Sequence, residues 1–298
     1  MNIISYLSEQ RRSVEEALNR YMLPAIEPFL AHVEAMRYSL FAGGKRIRPI
    51  LCLAAGAAID AEPSTRERLL PVACALECIH TYSLIHDDLP AMDDDELRRG
   101  KPTSHILFGE AGAILAGDGL LTFAFELLSN TAISAIPAES RLRIIQLIAK
   151  AAGPLGMVGG QSLDIESEKV AVSFPVLQTI HKAKTGALIT CSVQAGAIGA
   201  GASLDQVEKL TVYGEKIGLA FQIVDDLLNV TSTTEQLGKA AGSDANRGKA
   251  TYPAFFGIEK TKSMAKEAVD EALEALVGFD RKADPLRHIA TYIYTRSN

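Results

Sequence analysis

The stretch Leu84-Ile85-His86-Asp87-Asp88-Leu89-Pro90-Ala91-Met92-Asp93-Asp94-Asp95-Glu96-Leu97-Arg98-Arg99-Gly100 carries six acidic residues in the ten from Asp87 to Glu96, with two arginines close behind. So many carboxylates cannot enter an apolar core without large desolvation costs, so they must face water, a cation or an anionic ligand held through cations. Acids with a basic pair behind them point to Mg²⁺ and a phosphate group. Upstream, the run from Arg66 has helical periodicity, and Pro90 stops it. His80, Ser83 and Asp87 fall at i, i+3 and i+7, on one stripe that reads as a cavity wall. Asp93 lies six residues past Asp87, about 120° away on a regular helix. The two can share a cation only if the chain turns over at Leu89-Pro90-Ala91. A solvated acidic loop is the bland alternative, but acids at a helix C-terminus oppose its dipole.

Working outward, the same helical period dominates the chain, and no run of five or more residues alternates as a strand does. The spacing predicts helices over 3–22, 28–41, 47–60, 66–89, 110–130, 138–166, 173–199, 204–230, 250–278 and 284–296. Their breaks fall at Gly43-Gly44, Glu62-Pro63-Ser64, Gly100-Lys101-Pro102, Ile136-Pro137, Phe174-Pro175 and Gly199-Ala200-Gly201. The expected fold class is all-α, a single-domain bundle over residues 1–298. At 298 residues and 48% hydrophobic the chain can bury a large core, and a formal charge of −6 argues against a nucleic-acid surface. Cys52, Cys74, Cys78 and Cys191 lie in apolar segments, as reduced core thiols do. The first twenty residues carry charges throughout and do not resemble a signal peptide, so the expected location is cytoplasmic. Thr185 to Leu204 carries no charge, but its many small residues favour a buried helix over a membrane span, and no stable membrane insertion is expected.

A second acidic centre, Phe221-Gln222-Ile223-Val224-Asp225-Asp226-Leu227-Leu228-Asn229, sets Gln222, Asp225, Asp226 and Asn229 at i, i+3, i+4 and i+7 of an apolar helix. Two facing carboxylate sets can hold several Mg²⁺ ions around one diphosphate. Cations complete the pattern. Gly43-Gly44-Lys45-Arg46-Ile47-Arg48-Pro49 opens a helix, where anions are favoured. Lys182, Lys184 and Thr185 make another polar turn, and Lys239 to Lys249 is composed like a lid. Gly214 and Gly218 invite close backbone approach, as do the glycines from Gly153 to Gly160. Gln161 and Asp164 share one face of an apolar helix and read as turned inward.

These two aspartate-rich motifs resemble those of the trans-isoprenyl diphosphate synthases, as do Gly-Gly-Lys-Arg-Ile-Arg-Pro, Arg98-Arg99, Lys184-Thr185-Gly186, Phe221-Gln222 and Gly248-Lys249-Ala250-Thr251-Tyr252-Pro253. The similarity covers nearly the whole chain and is strongest to the bacterial farnesyl-type branch. It implies an all-helical bundle around a deep central cavity, a homodimer, and isopentenyl and allylic diphosphates as substrates. Motif by motif, it implies Asp87, Asp88 and Asp93 as metal ligands with Asp225, for Mg²⁺ in about three copies, and Asp226 and Asn229 behind them. Arg98, Lys184, Gln222, Lys239 and Lys249 match the allylic diphosphate site, with Thr185 near the reacting carbon. Gly44, Lys45, Arg48, His80 and Arg99 match the isopentenyl diphosphate site, and Asp244 resembles an outer acid in the lid. Asp87, Asp88, Arg98, Lys184, Thr185, Gln222 and Asp225 are the expected catalytic set. Asn229 departs from the family pattern, which has a third aspartate there. His86 is assigned to structure. Tyr82 and Ser83 are the chain-length candidates: by the resemblance, a large aromatic five positions before the motif stops growth at fifteen carbons. A geranylgeranyl or geranyl product is the alternative, and a terpene cyclase or a non-catalytic partner subunit are rivals of other classes.

Overall fold

The computed structural model describes residues 1–168, 170, 172–231 and 250–295. Among them the chain is almost entirely helical: α1 (Ile3–Tyr21), α2 (Leu30–Leu40), α3 (Ile47–Ile59), α4 (Pro63–Asp87), α5 (Ser104–Ser129), α6 (Ala138–Ala152), α7 (Met157–Glu166), α8 (Phe174–His181), α9 (Ala187–Gly199), α10 (Leu204–Thr231), α11 (Tyr252–Phe256), α12 (Ile258–Ala275) and α13 (Asp284–Thr295). The all-α expectation holds. Most predicted spans match within three residues, and the exceptions occur at glycines. Gly109 takes φ 72° inside α5, so that helix is kinked where the periodicity had predicted its start. Gly257, at φ 74°, separates α11 from α12 where one helix was expected. The 138–166 span divides at Gly153 and Gly156, whose non-helical ψ values of −160° and −131° end α6 and admit α7.

Between α8 and α9, Lys182–Gly186 forms a single π turn, so 173–199 is one continuous rod with a local widening. The only extended pairing among the described residues is a hairpin, β1 (Leu97–Arg98) with β2 (Lys101–Pro102), in antiparallel register Leu97↔Pro102. Its two turn residues, Arg99 and Gly100, have φ of 55° and 74°, the positive values that a tight two-residue hairpin requires.

Core residues gather on two sides of α9. Leu188, Cys191, Ala195 and Ile198 join α4, α5 and α6 around Cys74, Ile79, Leu120 and Ile148. Ile189, Val193 and Ala197 join α3, α10, α12 and α13 around Ile50, Ile217 and Ile289. The apolar run from Leu188 to Gly199 is therefore buried by neighbouring helices, apart from a half-exposed Thr190 and Gln194. Three other stretches, 63–87, 104–129 and 138–166, are long and apolar enough to cross a membrane by length and composition. All four cysteines are free and buried. Arginines tie down helix ends: Arg287 donates to the carbonyls of Leu276 and Phe279, and Arg141 to those of Ser134 and Ile136.

Candidate active site

The C-terminus of α4 and the turn after it form the first half of the site. Asp87 is the last helical residue. The chain then reverses through Met92 N–H to Leu89 O (2.8 Å), Asp94 N–H to Leu89 O (3.1 Å) and Asp93 N–H to Asp87 O (2.8 Å). The last of these brings Asp93 back over Asp87, the reversal that the spacing around Pro90 demanded. Burial pushes the Asp87 carboxyl up to about 6, with Lys184 opposing the shift and Asp93 adding to it.

Asp88 is 3% exposed, and its carboxylate accepts from Arg98 Nε on both oxygens at 2.8 Å and from Nη2 at 2.6 Å. A carboxylate gripped in this bidentate manner orients a guanidinium. Asp88, expected among the metal ligands, is therefore the residue that fixes Arg98. The hairpin bearing Arg98 is itself strapped down: Tyr38 Oη donates to Pro102 O at 2.8 Å, and Thr103 Oγ1 donates to Asp95 O at 2.8 Å.

Arg99, the next residue, points elsewhere. Its Nη1 donates to Gly43 O, and its guanidinium packs where a side chain on Gly44 would have to go. Gly44 is thus needed for its φ of 138°, and a side chain there would have to displace the Arg99 guanidinium. Behind this loop, burial lowers Arg48 to about 10 while Glu77 and Asp225 hold it up. His80 is driven well below its ordinary range by burial and then by Arg48, Arg99, Arg98 and Arg46, so its imidazole is neutral at pH 7. Lys45 is exposed at the loop's edge.

The π turn carries Lys184 and Thr185. It lies between two close backbone approaches, Gly160 of α7 against Ala183-Lys184 and Gly218 of α10 against Gly186. Single π turns recur at functional sites because they swing side chains out of helical register. Lys184 Nζ donates to Asp164 Oδ2 at 2.7 Å, which accounts for the inward-turned acid of α7.

On α10, Gln222 and Asp225 are partly exposed, whereas Asp226 and Asn229 are 6% and 3% exposed. Asp226 accepts from Tyr252 N–H at 2.9 Å and lies 3.9 Å from His181 Nε2, whose ring stacks on Tyr252 and is lowered to about 4 by burial. The stripe therefore divides, with Asp225 toward the cations and Asp226 bracing α11. Asp225 acts on Arg48, and Lys184 on Asp87, so each acidic motif lies within electrostatic reach of a basic group of the site. Lys239, Asp244 and Lys249 lie outside the described residues.

Tyr82 is buried, with its ring edge-on to His86 at 5.6 Å, and His86 Nε2 is 3.0 Å from Ile114 O beside Gly117. His86 is a wedge between α4 and α5, as its structural assignment anticipated. Ser83 is partly buried, and its hydroxyl donates back to His80 O at 2.9 Å. Sequence reasoning missed Glu77, Tyr38 and Thr103. A lone glutamate in the apolar run Ala75-Leu76-Glu77-Cys78-Ile79 was the one signal available.

Among the described residues no three His, Cys, Asp or Glu side chains come together as a self-contained metal cluster. Mg²⁺ characteristically binds through one or two carboxylates and completes its shell with phosphate and water. A buried carboxylate pushed upward, like Asp87, also gains from an added cation. Asp87, Asp93 and Asp225 fit that ion.

A sequence profile of the Polyprenyl synthetase family matches residues 31–286. The chain is 48% identical over 298 residues to a geranylgeranyl diphosphate synthase of Cyanophora paradoxa, covering all of this chain and 97% of that one. It is 46% identical to the farnesyl diphosphate synthase of Geobacillus stearothermophilus, covering 100% and 99%. The crystal structure of an FPP/GFPP synthase from Zymomonas mobilis superposes with a TM-score of 0.86 at 41% identity, covering 99% of each chain. With its acidic turn, π-turn lysine and arginine hairpin carried on a fold shared from end to end with these enzymes, the chain belongs to the polyprenyl synthetase family of prenyltransferases.

Proposed function

We propose that the protein condenses isopentenyl diphosphate head to tail with dimethylallyl and then geranyl diphosphate, giving (2E,6E)-farnesyl diphosphate. The observation that carries this reading is the divergence of two adjacent arginines. Arg98 is turned to the acidic turn by Asp88, and Arg99 to the Gly43-Gly44 loop. Neighbouring residues on one rigid hairpin thereby serve two diphosphates, which is what a two-substrate transferase needs and a cyclase does not.

Asp87, Asp93 and Asp225 are the proposed holders of Mg²⁺, about three ions per site. When bound, these ions neutralise charge growing on the departing diphosphate. Arg98 and Lys184 hold that diphosphate in the same place as its charge rises, an interaction stronger in the transition state than in the ground state. Outside the described residues, Lys239 and Lys249 are assigned to this diphosphate and Asp244 to the acid behind it. Gln222 and Thr185 direct their oxygen dipoles toward the allylic carbon as it loses its leaving group. Lys45, Arg48, Arg99 and neutral His80 orient the isopentenyl diphosphate so that its double bond faces that carbon. Tyr82 and its apolar neighbours keep water away from the cation. The released diphosphate takes the proton that leaves the new chain.

The C15 product rests on Tyr82, a buried aromatic five positions before Asp87, and on the farnesyl-type relative. A geranylgeranyl product is favoured instead by the relative of Cyanophora paradoxa. One incubation decides between them: isopentenyl with dimethylallyl diphosphate and Mg²⁺, with the product identified by mass spectrometry. A C15 product from the wild type and a longer one from Tyr82→Ala support the assignment. A C20 wild-type product overturns it, and an unchanged product from the variant removes Tyr82 as the floor. A single domain, a cytoplasmic location and a homodimer complete the proposal.

A further inference from the structure

We infer that Glu77 is a positioning residue for the isopentenyl diphosphate subsite, acting through Arg46 and setting the guanidinium groups that grip that diphosphate. The inference rests on the assignment of Lys45, Arg48 and Arg99 to that subsite. Neither Glu77 nor Arg46 belongs to the groups assigned to touch substrate.

Arg46 stands at the N-terminus of α3 in the left-handed region, at φ 52° and ψ 34°. It follows Gly43 and Gly44, at φ 94° and 138°. The glycines reach such angles freely, but for a residue with a side chain, as Arg46 is, that geometry persists only when its surroundings enforce it. The Arg46 side chain supplies the enforcement. It is buried, with Nη1 donating to Glu77 Oε1 at 2.7 Å, Nη2 donating to the Leu40 carbonyl at 2.7 Å, and Nε 3.8 Å from Glu15 Oε1. One guanidinium thereby joins α1, the end of α2 and the middle of α4 at the point where the glycine loop enters α3.

Glu77 does more than hold Arg46. It is 1% exposed, lies three residues before His80 on the same face of α4, and its Oε2 has no hydrogen-bond partner among the described residues. Arg48 Nε is likewise buried without a partner. The Glu77 charge favours the charged forms of both Arg48 and Arg99 against their own burial. One carboxylate is therefore paired directly with Arg46 while its charge also reaches the two guanidinium groups assigned to substrate. A buried ion pair is a poor source of net stability. Here it keeps cations charged, spaced and aimed before any diphosphate arrives, which is preorganisation.

The test compares Glu77→Gln, which keeps shape but loses charge, with Arg46→Lys, which keeps charge but loses the forked contact. KM values for isopentenyl and dimethylallyl diphosphate are measured for both, and their ratio does not depend on how much of a preparation is folded. The expected result is a rise of at least tenfold in KM for isopentenyl diphosphate, with KM for dimethylallyl diphosphate within twofold, in both variants. If Glu77→Gln fails to fold, Arg46→Lys alone decides. Equal rises in both constants, or none, would overturn the inference and leave Glu77 as packing. Tighter isopentenyl diphosphate binding in Glu77→Gln would overturn it too, since then the charge would merely oppose the ligand. Arg99→Gln serves as the control for the underlying assignment. If it leaves KM for isopentenyl diphosphate unchanged, the subsite itself is misplaced; if it raises that constant while Glu77→Gln does not, only the positioning role fails.

Discussion

At the level of single residues, Asp87 and Asp88 show how neighbours of one type acquire different work. Asp88 spends its charge on Arg98, while Asp87 is left with a buried carboxyl raised to about 6. The free carboxyl titrates near 3.9. Between about pH 4 and pH 6 the metal-free folded protein therefore retains a proton that the unfolded chain has released, so Asp87 makes stability fall as pH rises across that window. Urea midpoints of wild type and Asp87→Asn at pH 4.5 and pH 7 check this. The wild type should lose stability relative to the variant on going to pH 7, and parallel behaviour would refute the raised carboxyl. The same variant should lose turnover by at least about 100-fold with its helical circular dichroism intact, because a ligand amide cannot replace the charge that the metal site requires. Serial spacing marked both aspartates as functional, but only the fold separates them. Arg98 is ten residues from Asp88, across a turn whose path no periodicity describes, and Glu77 signals itself only as a charge among apolar neighbours.

The helices carrying the site were legible as elements because their apolar periodicity is long and sustained. Their interruptions were not. Gly109 and Gly257 adopt positive φ, yet glycines at Gly112, Gly117 and Gly214 stay helical, and composition does not tell the two apart. The π turn was invisible for a similar reason: Lys182-Ala183-Lys184-Thr185-Gly186 fits an α-helix equally well, and the widening is imposed by neighbours. Gly160 is the neighbour on which it depends most, since a methyl there would overlap the Ala183-Lys184 backbone, which has no free rotamer with which to yield. Gly160→Ala should cost about 1–3 kcal/mol, the usual range for forced overpacking. It should also lower kcat at least tenfold by displacing Lys184 and Thr185. Thermal unfolding and steady-state kinetics together test this, and a variant with native turnover would show that the close approach serves packing alone.

Over the whole molecule, the unburied apolar side chains are the main feature that one chain leaves unexplained. Ile106, Leu107, Ile114 and Leu115 of α5 are 43–57% exposed. These are the side chains that the proposed homodimer would cover. For the proposed homodimer, sedimentation velocity should give twice the mass of one chain, and Leu107→Glu with Leu115→Glu should shift it toward the monomer. A monomeric wild type would refute the dimer and return α5 to the open question of what covers it. The four thiols, by contrast, are sealed inside: burial raises all of them, Cys191 to about 12, and they lie in α3, α4 and α9 within the core group that joins α4, α5 and α6. Only a thiolate reacts with an alkylating reagent. Iodoacetamide therefore has no target until these helices part, and the rate at which label accumulates in dilute reagent becomes a clock for the opening of the protein's interior, wound by the sequence itself and needing no introduced probe.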